Sequence, residues 1–231
     1  MSGPLSFSFA SDSSLLIKLE EGISLEAHRR VLQTTRLLLN ARLKPIRNLH
    51  PAYNSVLIVF DPLKTNHSEI ELLIKSVLEK SNQEFSAETR TIEIPAVYGG
   101  NFGPDLKDVA ERCGLGEKEV VKIHSSATYT VYFLGFSPGF PYLGGLPEKL
   151  SVPRLPNPRT KVHAGSVAIG GNQTGIYPIE SPGGWRIIGR TPLRLFNPMA
   201  KSPTLLQMGD IVRFVPISEG EFTRLAESGK P

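Results

Sequence analysis

Apolar residues recur at helical spacing twice in the first eighty positions, and between those stretches they alternate. Ser24 is a favourable N-cap, and Leu25, Val31, Leu32, Leu38 and Leu39 behind it fall on one stripe, which predicts a helix to about Asn40. His28 stands one turn before Leu32, at the edge of that stripe, where a half-buried side chain explains it more simply than a function. Two short strands precede the helix, residues 5–10 and 14–19, split by the polar turn Ser11-Asp12-Ser13. Two more follow, Ile46 to His50 and Ser55 to Phe60, and Asp61-Pro62 stops the second. Asn66 with Glu69 three residues on predicts a capping box. The helix it opens carries Ile70, Leu73, Ile74, Val77 and Leu78 on one face.

Strands interleaved with two helices predict a small two-layer α/β domain over residues 1–90, similar to a ferredoxin-like arrangement. The polar, turn-rich segment Ser81 to Thr91 marks its end. Residues 91–231 follow a different rhythm. Thr91 to Val97 reads as an entry strand and Tyr98-Gly99-Gly100-Asn101-Phe102-Gly103 as a bend. Pro104 then opens a helix, with Asp105 in the first turn where the macrodipole favours an acid. Leu106, Val109, Ala110 and Cys113 form its buried face, and Gly114 ends it. Cys113 therefore reads as core rather than nucleophile. A short helix from Glu117 to His124 leads into the strand Tyr129 to Leu134. From there the pattern is β as far as Ile211 to Phe214, with a short helix and a frayed tail after Pro216.

The segment Gly135 to Pro198 dominates this second half, with 21 Gly or Pro among its 64 residues. Flexible linkers can be that rich but lack anchors, whereas Phe136, Phe140, Tyr142, Val167, Ile169, Tyr177, Trp185 and Ile188 are interleaved here. Apolar residues between tight turns predict short strands with loops of fixed shape. The segment also holds Arg154, Arg159, Lys161, His163, Arg186 and Arg190 against two acids, Glu148 and Glu180. A stiff cationic β-structure suits an anion.

The totals exclude more than they assign. A net charge of +4 with scattered Lys and Arg offers no basic strip for nucleic acid. The lone Cys113 allows no internal disulfide and favours a reducing compartment. No signal-like start and no apolar run beyond Val56 to Phe60 point to a soluble, cytoplasmic protein without membrane contact. Five dispersed histidines give no metal ligand set.

Candidate chemistry concentrates in the glycine-rich segment. In an extended strand Arg159, Lys161 and His163 share one face, a site for carboxylate or phosphate, although a solvated strand face has the same composition. Gly170 to Gly175 could present backbone N–H groups as an anion nest, but no Gly-Lys-Ser/Thr follows, so it is not a P-loop. Ser181-Pro182-Gly183-Gly184-Trp185 suits a type II turn. Arg190 has no acid near it in sequence and suits bidentate contact with an oxyanion. Ser166 lacks the second glycine of a nucleophile elbow, and nothing pairs His124 or His163 with it as a base. These residues can hold and polarise an anion without completing an acid–base machine, which points to a partner chain.

At these residues a family resemblance emerges. Gly135-Phe136-Ser137-Pro138-Gly139-Phe140-Pro141-Tyr142-Leu143 resembles the allophanate hydrolase subunit 1 / Kip inhibitor family, whose enzymatic members include the B component of 5-oxoprolinase. So do Pro153-Arg154, Pro158-Arg159, Ala164 to Ile169, Gln173 to Pro178, Ser181 to Trp185, Gly189 to Pro192, Tyr98-Gly99-Gly100 and Gly103 to Leu106. His163 stands where members commonly carry Pro, and it either adds a titrating group or fills space.

The resemblance implies a cyclophilin-like β-barrel behind the α/β domain, hence an α+β chain. It implies two partners, a homologous C component (allophanate hydrolase subunit 2-like) and an A component. Together the three open 5-oxoproline to L-glutamate at the expense of ATP. Activating the lactam oxygen by phosphoryl transfer depends on positioning and charge stabilisation, which suits an arginine-lined site. On this reading Arg159, His163 and Arg190 are catalytic. Arg154, Lys161, Gln173, Tyr177, Ser181, Gly183, Gly184 and Trp185 hold the substrate. Two alternatives stay open: inhibition of a histidine kinase by direct binding, and one half of a biotin-dependent carboxyltransferase acting on urea or a related amide. No biotin-carrier Met-Lys-Met occurs, so biotin would arrive on another chain.

Overall fold

The computed structural model describes residues 5–80 and 89–228. The chain divides into two compact units, Met1–Glu88 and Thr89–Pro231. Most of the expected boundary segment, Ser81 to Thr91, lies outside the described residues, as does the end of the frayed tail.

The first unit runs β1 (Ser6–Ser11), β2 (Ser14–Lys18), α1 (Leu25–Ala41), β3 (Ile46–Pro51), β4 (Ser55–Phe60) and α2 (His67–Glu79). Its antiparallel sheet has the order β1-β2-β4-β3. Strand β4 lies between β2 and β3, the strands flanking α1, which is the split βαβ layout of ferredoxin-like folds. The outer strand beside β2 comes from the N-terminal hairpin rather than from chain after α2. Pleat alternation buries Leu15, Ile17, Val56, Ile58 and Phe60. Both N-caps form: Ser24 accepts from the Ala27 N–H at 3.0 Å, and Asn66 from the Glu69 N–H at 3.0 Å, but the capping box is half made, since the Glu69 carboxylate accepts from the Thr65 hydroxyl at 3.2 Å.

The α1 stripe differs from the expected one. Leu25 and Leu39 are 52% and 59% exposed, and the buried face is Ala27, Val31, Thr34, Thr35 and Leu38 with His28. Leu25, Leu32 and Leu39 recur every seven residues along a neighbouring face. The true stripe was hidden because Ala27 and Thr34 are small or polar. His28 is buried rather than half-buried, and desolvation, with Arg29 and Arg36 nearby, pushes its pKa down to about 4.

The second unit contains β5 (Thr91–Tyr98), α3 (Leu106–Cys113), α4 (Glu117–Ser126), β6 (Tyr129–Leu134), β7 (Pro141–Gly144), β8 (Arg159–Val162), β9 (Ser166–Gly170), β10 (Gln173–Ile176), β11 (Ser181–Gly183), β12 (Arg186–Arg190), β13 (Ile211–Pro216) and α5 (Glu219–Glu227). Seven strands close a barrel in the order β10-β7-β6-β13-β5-β12-β9, with β9 pairing β10 across the seam. The expected cyclophilin-like barrel is therefore present. Strands β5 and β13 run parallel, and the short pair β8–β11 lies outside the barrel. Ile94, Val131, Leu143, Val167, Ile169, Ile176 and Ile188 fill the core, and Cys113 packs against it.

One polar thread crosses that core. The Thr174 hydroxyl donates to the Ala168 carbonyl at 3.0 Å, so it accepts from His124 Nε2–H at 3.0 Å. That leaves His124 Nδ1 to accept from the Tyr98 hydroxyl at 2.9 Å. Burial pushes His124 down to about 3, so it stays neutral, and it holds the barrel together rather than serving as a base.

Three local expectations change. Helix α3 starts at Leu106, two residues after Pro104, and Asp105 is its N-cap without a capping hydrogen bond. Gly170 to Gly175 is a hairpin, with Gln173 to Gly175 in the β9–β10 ladder, so it forms no extended nest. Ser181 to Gly183 is strand β11, paired with β8, rather than part of a type II turn.

Candidate functional site

A cleft of about 300 Å³ opens beside the barrel between the loop before β7, the segment before β8, and β11. Phe140, Tyr142, Tyr177 and Trp185 form its aromatic lining. Phe140 meets Tyr177 edge-on at 5.2 Å and Trp185 at 5.5 Å. Two glycines make that packing possible. A Cβ on Gly170 would lie 2.6 Å from the Trp185 ring, and one on Gly183 would lie 2.3 Å from the Tyr177 hydroxyl.

The polar groups in the lining are donors. The Arg154 guanidinium lies over the Trp185 ring at 5.6 Å, and among the described residues no salt bridge holds it. Burial pushes the Tyr177 hydroxyl's pKa up, against the opposing pull of the nearby Trp185 backbone N–H and of Arg154. Its own proton thus remains available to a ligand oxygen. The lining otherwise comes from Phe136, Leu155, Pro158, Pro182, Gly183 and Gly184, with no carboxylate.

Phe136 has an unusual backbone. Its φ is 66°, and the Ser137 N–H donates to the Gly135 carbonyl at 2.8 Å, which closes a gamma turn around it. A non-glycine residue held there costs about 1–3 kcal/mol. The ring is 66% exposed at the cleft mouth, edge-on to Phe140 at 5.6 Å and to Tyr177 at 6.4 Å.

Most cations of the glycine-rich segment have structural partners. Arg159 donates to Asp105 at 2.6 Å, while the other Asp105 oxygen accepts from the Ile187 N–H at 2.7 Å. Arg186, 2% exposed, binds Asp108 and the Pro153 carbonyl. Its hydrogen bond is the chief cause that holds the Asp108 carboxyl below the usual range. Lys161 and His163 do share a side, and both face Glu180, at 2.9 and 3.5 Å. Arg190 donates to the Ala164 carbonyl at 2.8 Å near the surface.

Of the residues singled out from sequence, Arg154, Tyr177, Gly183, Gly184 and Trp185 meet around the cleft. Arg159, Lys161, His163, Arg190, Gln173 and Ser181 do not line it. Gln173 is buried on β10, and the Ser181 hydroxyl on β11 is buried with no partner among the described residues. Phe136 and Tyr142 were legible as apolar anchors and Pro158 as part of a family motif, but no periodicity showed that they line a cleft. A second hollow, about 510 Å³, is lined by Tyr98, Gly99, Gly100, Glu117, Lys118 and Ser218 and mixes both charge signs. Among the described residues no group of three or more His, Cys, Asp or Glu is placed to hold a metal, and no helix is long and apolar enough to cross a membrane.

Comparisons with known proteins agree with this architecture. The family described as "Carboxyltransferase domain, subdomain C and D" matches residues 5–206. The B component of the 5-oxoprolinase of Escherichia coli O157:H7 is 45% identical over 90% of this chain and 94% of its own length. The crystal structure of a conserved uncharacterized protein from Pyrococcus horikoshii is 48% identical, covers 94% of this chain and all of that one, and superposes with a TM-score of 0.57. The Kluyveromyces lactis urea carboxylase, 21% identical, matches 97% of this chain with a TM-score of 0.81 and shows the shared fold. The chain spans 23% of that enzyme's length.

Proposed function

Since the chain belongs to the carboxyltransferase domain, subdomain C and D family, we propose that it is the B component of an ATP-dependent 5-oxoprolinase, which with the A and C components converts 5-oxoproline to L-glutamate. The observation that carries this reading is near full-length similarity, 45% identity over 94% of the Escherichia coli B component. The cleft supports the substrate class. A carboxylate finds Arg154, a carbonyl or carboxylate oxygen finds the Tyr177 proton, and the flat lactam ring finds aromatic walls.

Product chemistry fits the same surface. Ring opening breaks the lactam C–N bond, adds a water oxygen to the carbonyl carbon, and leaves an amine that is protonated at neutral pH. The lining has no acid for that ammonium, and Arg154 repels it. The cleft therefore favours the cyclic acid over the open product.

ATP suits the described residues poorly. The Gly170–Gly175 hairpin offers no phosphate cradle, and the cleft has one guanidinium in about 300 Å³. The reading gives the nucleotide to a partner protein of the complex, with this chain binding and orienting the lactam. In this scheme Arg159 supports the site from behind through Asp105, and Arg190, Lys161 and His163 stand outside it.

The test is ATP-dependent glutamate formation by this chain assembled with the A and C components. Wild type is expected to be active, and Arg154→Ala to lose at least about tenfold, from a charge-assisted hydrogen bond of roughly 1.5–3 kcal/mol. Full activity of Arg154→Ala would remove the site assignment, and failure of the assembled wild type would remove the activity. The family description also keeps a second reading in view, a carboxyltransferase half. Urea carboxylation upon addition of a biotin carrier protein and a biotin carboxylase, with no 5-oxoproline cleavage, would favour it.

A further inference from the structure

We infer that Phe136 is a specificity-determining residue of the aromatic cleft, stacking on a flat, carboxylate-bearing ring and so selecting cyclic acids over open-chain ones. The inference rests on the site reading above and adds a residue and a selection rule to it.

The side chain is large, apolar and two-thirds exposed, yet it is not on a loose loop. The Gly135 N–H donates to the Phe140 carbonyl at 3.0 Å and the Phe140 N–H to the Ser137 carbonyl at 3.0 Å, which closes the loop on both sides of the gamma turn. Gly139, at φ 83°, tucks the loop against Phe196, where a Cβ would sit 3.0 Å from that side chain. So the chain holds an aromatic ring outward in a backbone conformation that aromatic residues avoid. Core packing does not explain this, because the ring buries little.

Its position does. Phe136 and Trp185 both pack edge-on against Phe140 and both line the cleft that holds Arg154. A planar ring whose carboxylate reaches Arg154 can cover the exposed face of Phe136, gaining stacking contact and burial. An open-chain acid presents no flat face, and its ammonium meets no acid in the lining.

Trp185 is the protein's single tryptophan, so its fluorescence reports on this cleft directly. The full chain is titrated with 5-oxoproline and, separately, with L-glutamate, as wild type, Phe136→Ala, Phe136→Gly and Arg154→Ala. Wild type is expected to prefer 5-oxoproline. Phe136→Ala should weaken 5-oxoproline binding up to about tenfold and leave L-glutamate unchanged, so that the preference collapses. Phe136→Gly should bind as poorly as Phe136→Ala while melting no lower than wild type, because glycine accepts the positive φ. A merely structural Phe136 would not produce weaker binding together with undiminished stability.

If wild type responds, Arg154→Ala loses the response and both Phe136 variants keep the full preference, this inference is overturned and the site reading stands. If wild type and Arg154→Ala behave alike, or wild type does not respond, the site reading falls and takes this inference with it.

Discussion

Arg186 and Arg154 lie in the same glycine-rich segment and have opposite environments. Arg186 is buried, bonded to Asp108 and to the Pro153 carbonyl, and Arg159, about two-thirds buried, is tied to Asp105. Arg154 lies on the Trp185 face with no carboxylate held to it among the described residues. A buried guanidinium without a partner is costly, so the first group had to be neutralised from within and became framework. A guanidinium resting on an indole at a cleft wall keeps its hydrogen-bonding capacity for something that arrives from solvent. Positive charge in a sequence is thus a poor guide to an anion site until its internal acids are known.

The comparison can be broken first at the framework. Arg186→Met should lower unfolding free energy by up to about 3 kcal/mol, because it leaves the Pro153 carbonyl without its donor, while Asp108, partly exposed, keeps Arg112. Urea denaturation measures it, and the protein that remains folded should still bind 5-oxoproline as wild type does. An unchanged midpoint would mean that Arg186 is not framework.

A smaller effect comes from acid. His124 titrates at about 3 in the fold against its ordinary 6.5, so below pH 6.5 the unfolded chain binds a proton that the native state refuses. Stability is full above pH 6.5 and falls by about 1.4 kcal/mol per pH unit down to about pH 3, roughly 2 kcal/mol at pH 5. His28 adds the same slope in the first unit, ending near its value of about 4. Denaturation midpoints between pH 7 and 5 should show this, and His124→Gln should flatten the barrel's share of the slope. A slope that survives His124→Gln intact would contradict the neutral, buried histidine.

The smallest effect on stability belongs to the other half of the comparison. Arg154→Ala and Lys161→Ala should each move the unfolding free energy by no more than about 1 kcal/mol. They should part company in binding, where Arg154→Ala loses 5-oxoproline affinity and Lys161→Ala, already facing Glu180, does not. Equal behaviour of the two variants would erase the distinction between a waiting cation and a satisfied one.

Local rules made much of the fold legible. Ser24 and Asn66 cap their helices, Gly114 ends α3 at φ 67°, and β6 runs from Tyr129 to Leu134, where a strand is expected. Where local rules failed, a distant residue decided. Asp105 is expected in the first turn of α3 but stands at its N-cap, and its oxygens go to Arg159, 54 positions away, and to the Ile187 N–H, 82 away. No spacing rule reports such a pairing. The α1 face departs from the leucine stripe because Ala27 and Thr34 carry it in place of leucines.

The site was legible in part for the same reason. Arg154, Tyr177, Gly183, Gly184 and Trp185 were visible as residue types with suitable chemistry, and the cleft unites them. Which cations were already neutralised depended on Asp105, Asp108 and Glu180, two of which lie outside the glycine-rich segment. The outward turn at Phe136 depended on a positive φ that Gly135 and the following Ser-Pro-Gly permit but do not announce.

The most direct measurement is a crystal structure of the chain with 5-oxoproline at saturating concentration. The account predicts the lactam in the aromatic cleft, its carboxylate on Arg154, an oxygen on the Tyr177 hydroxyl and its ring against Phe136. Ligand bound instead beside Arg190 or Lys161, with the Trp185 wall bare, would contradict it.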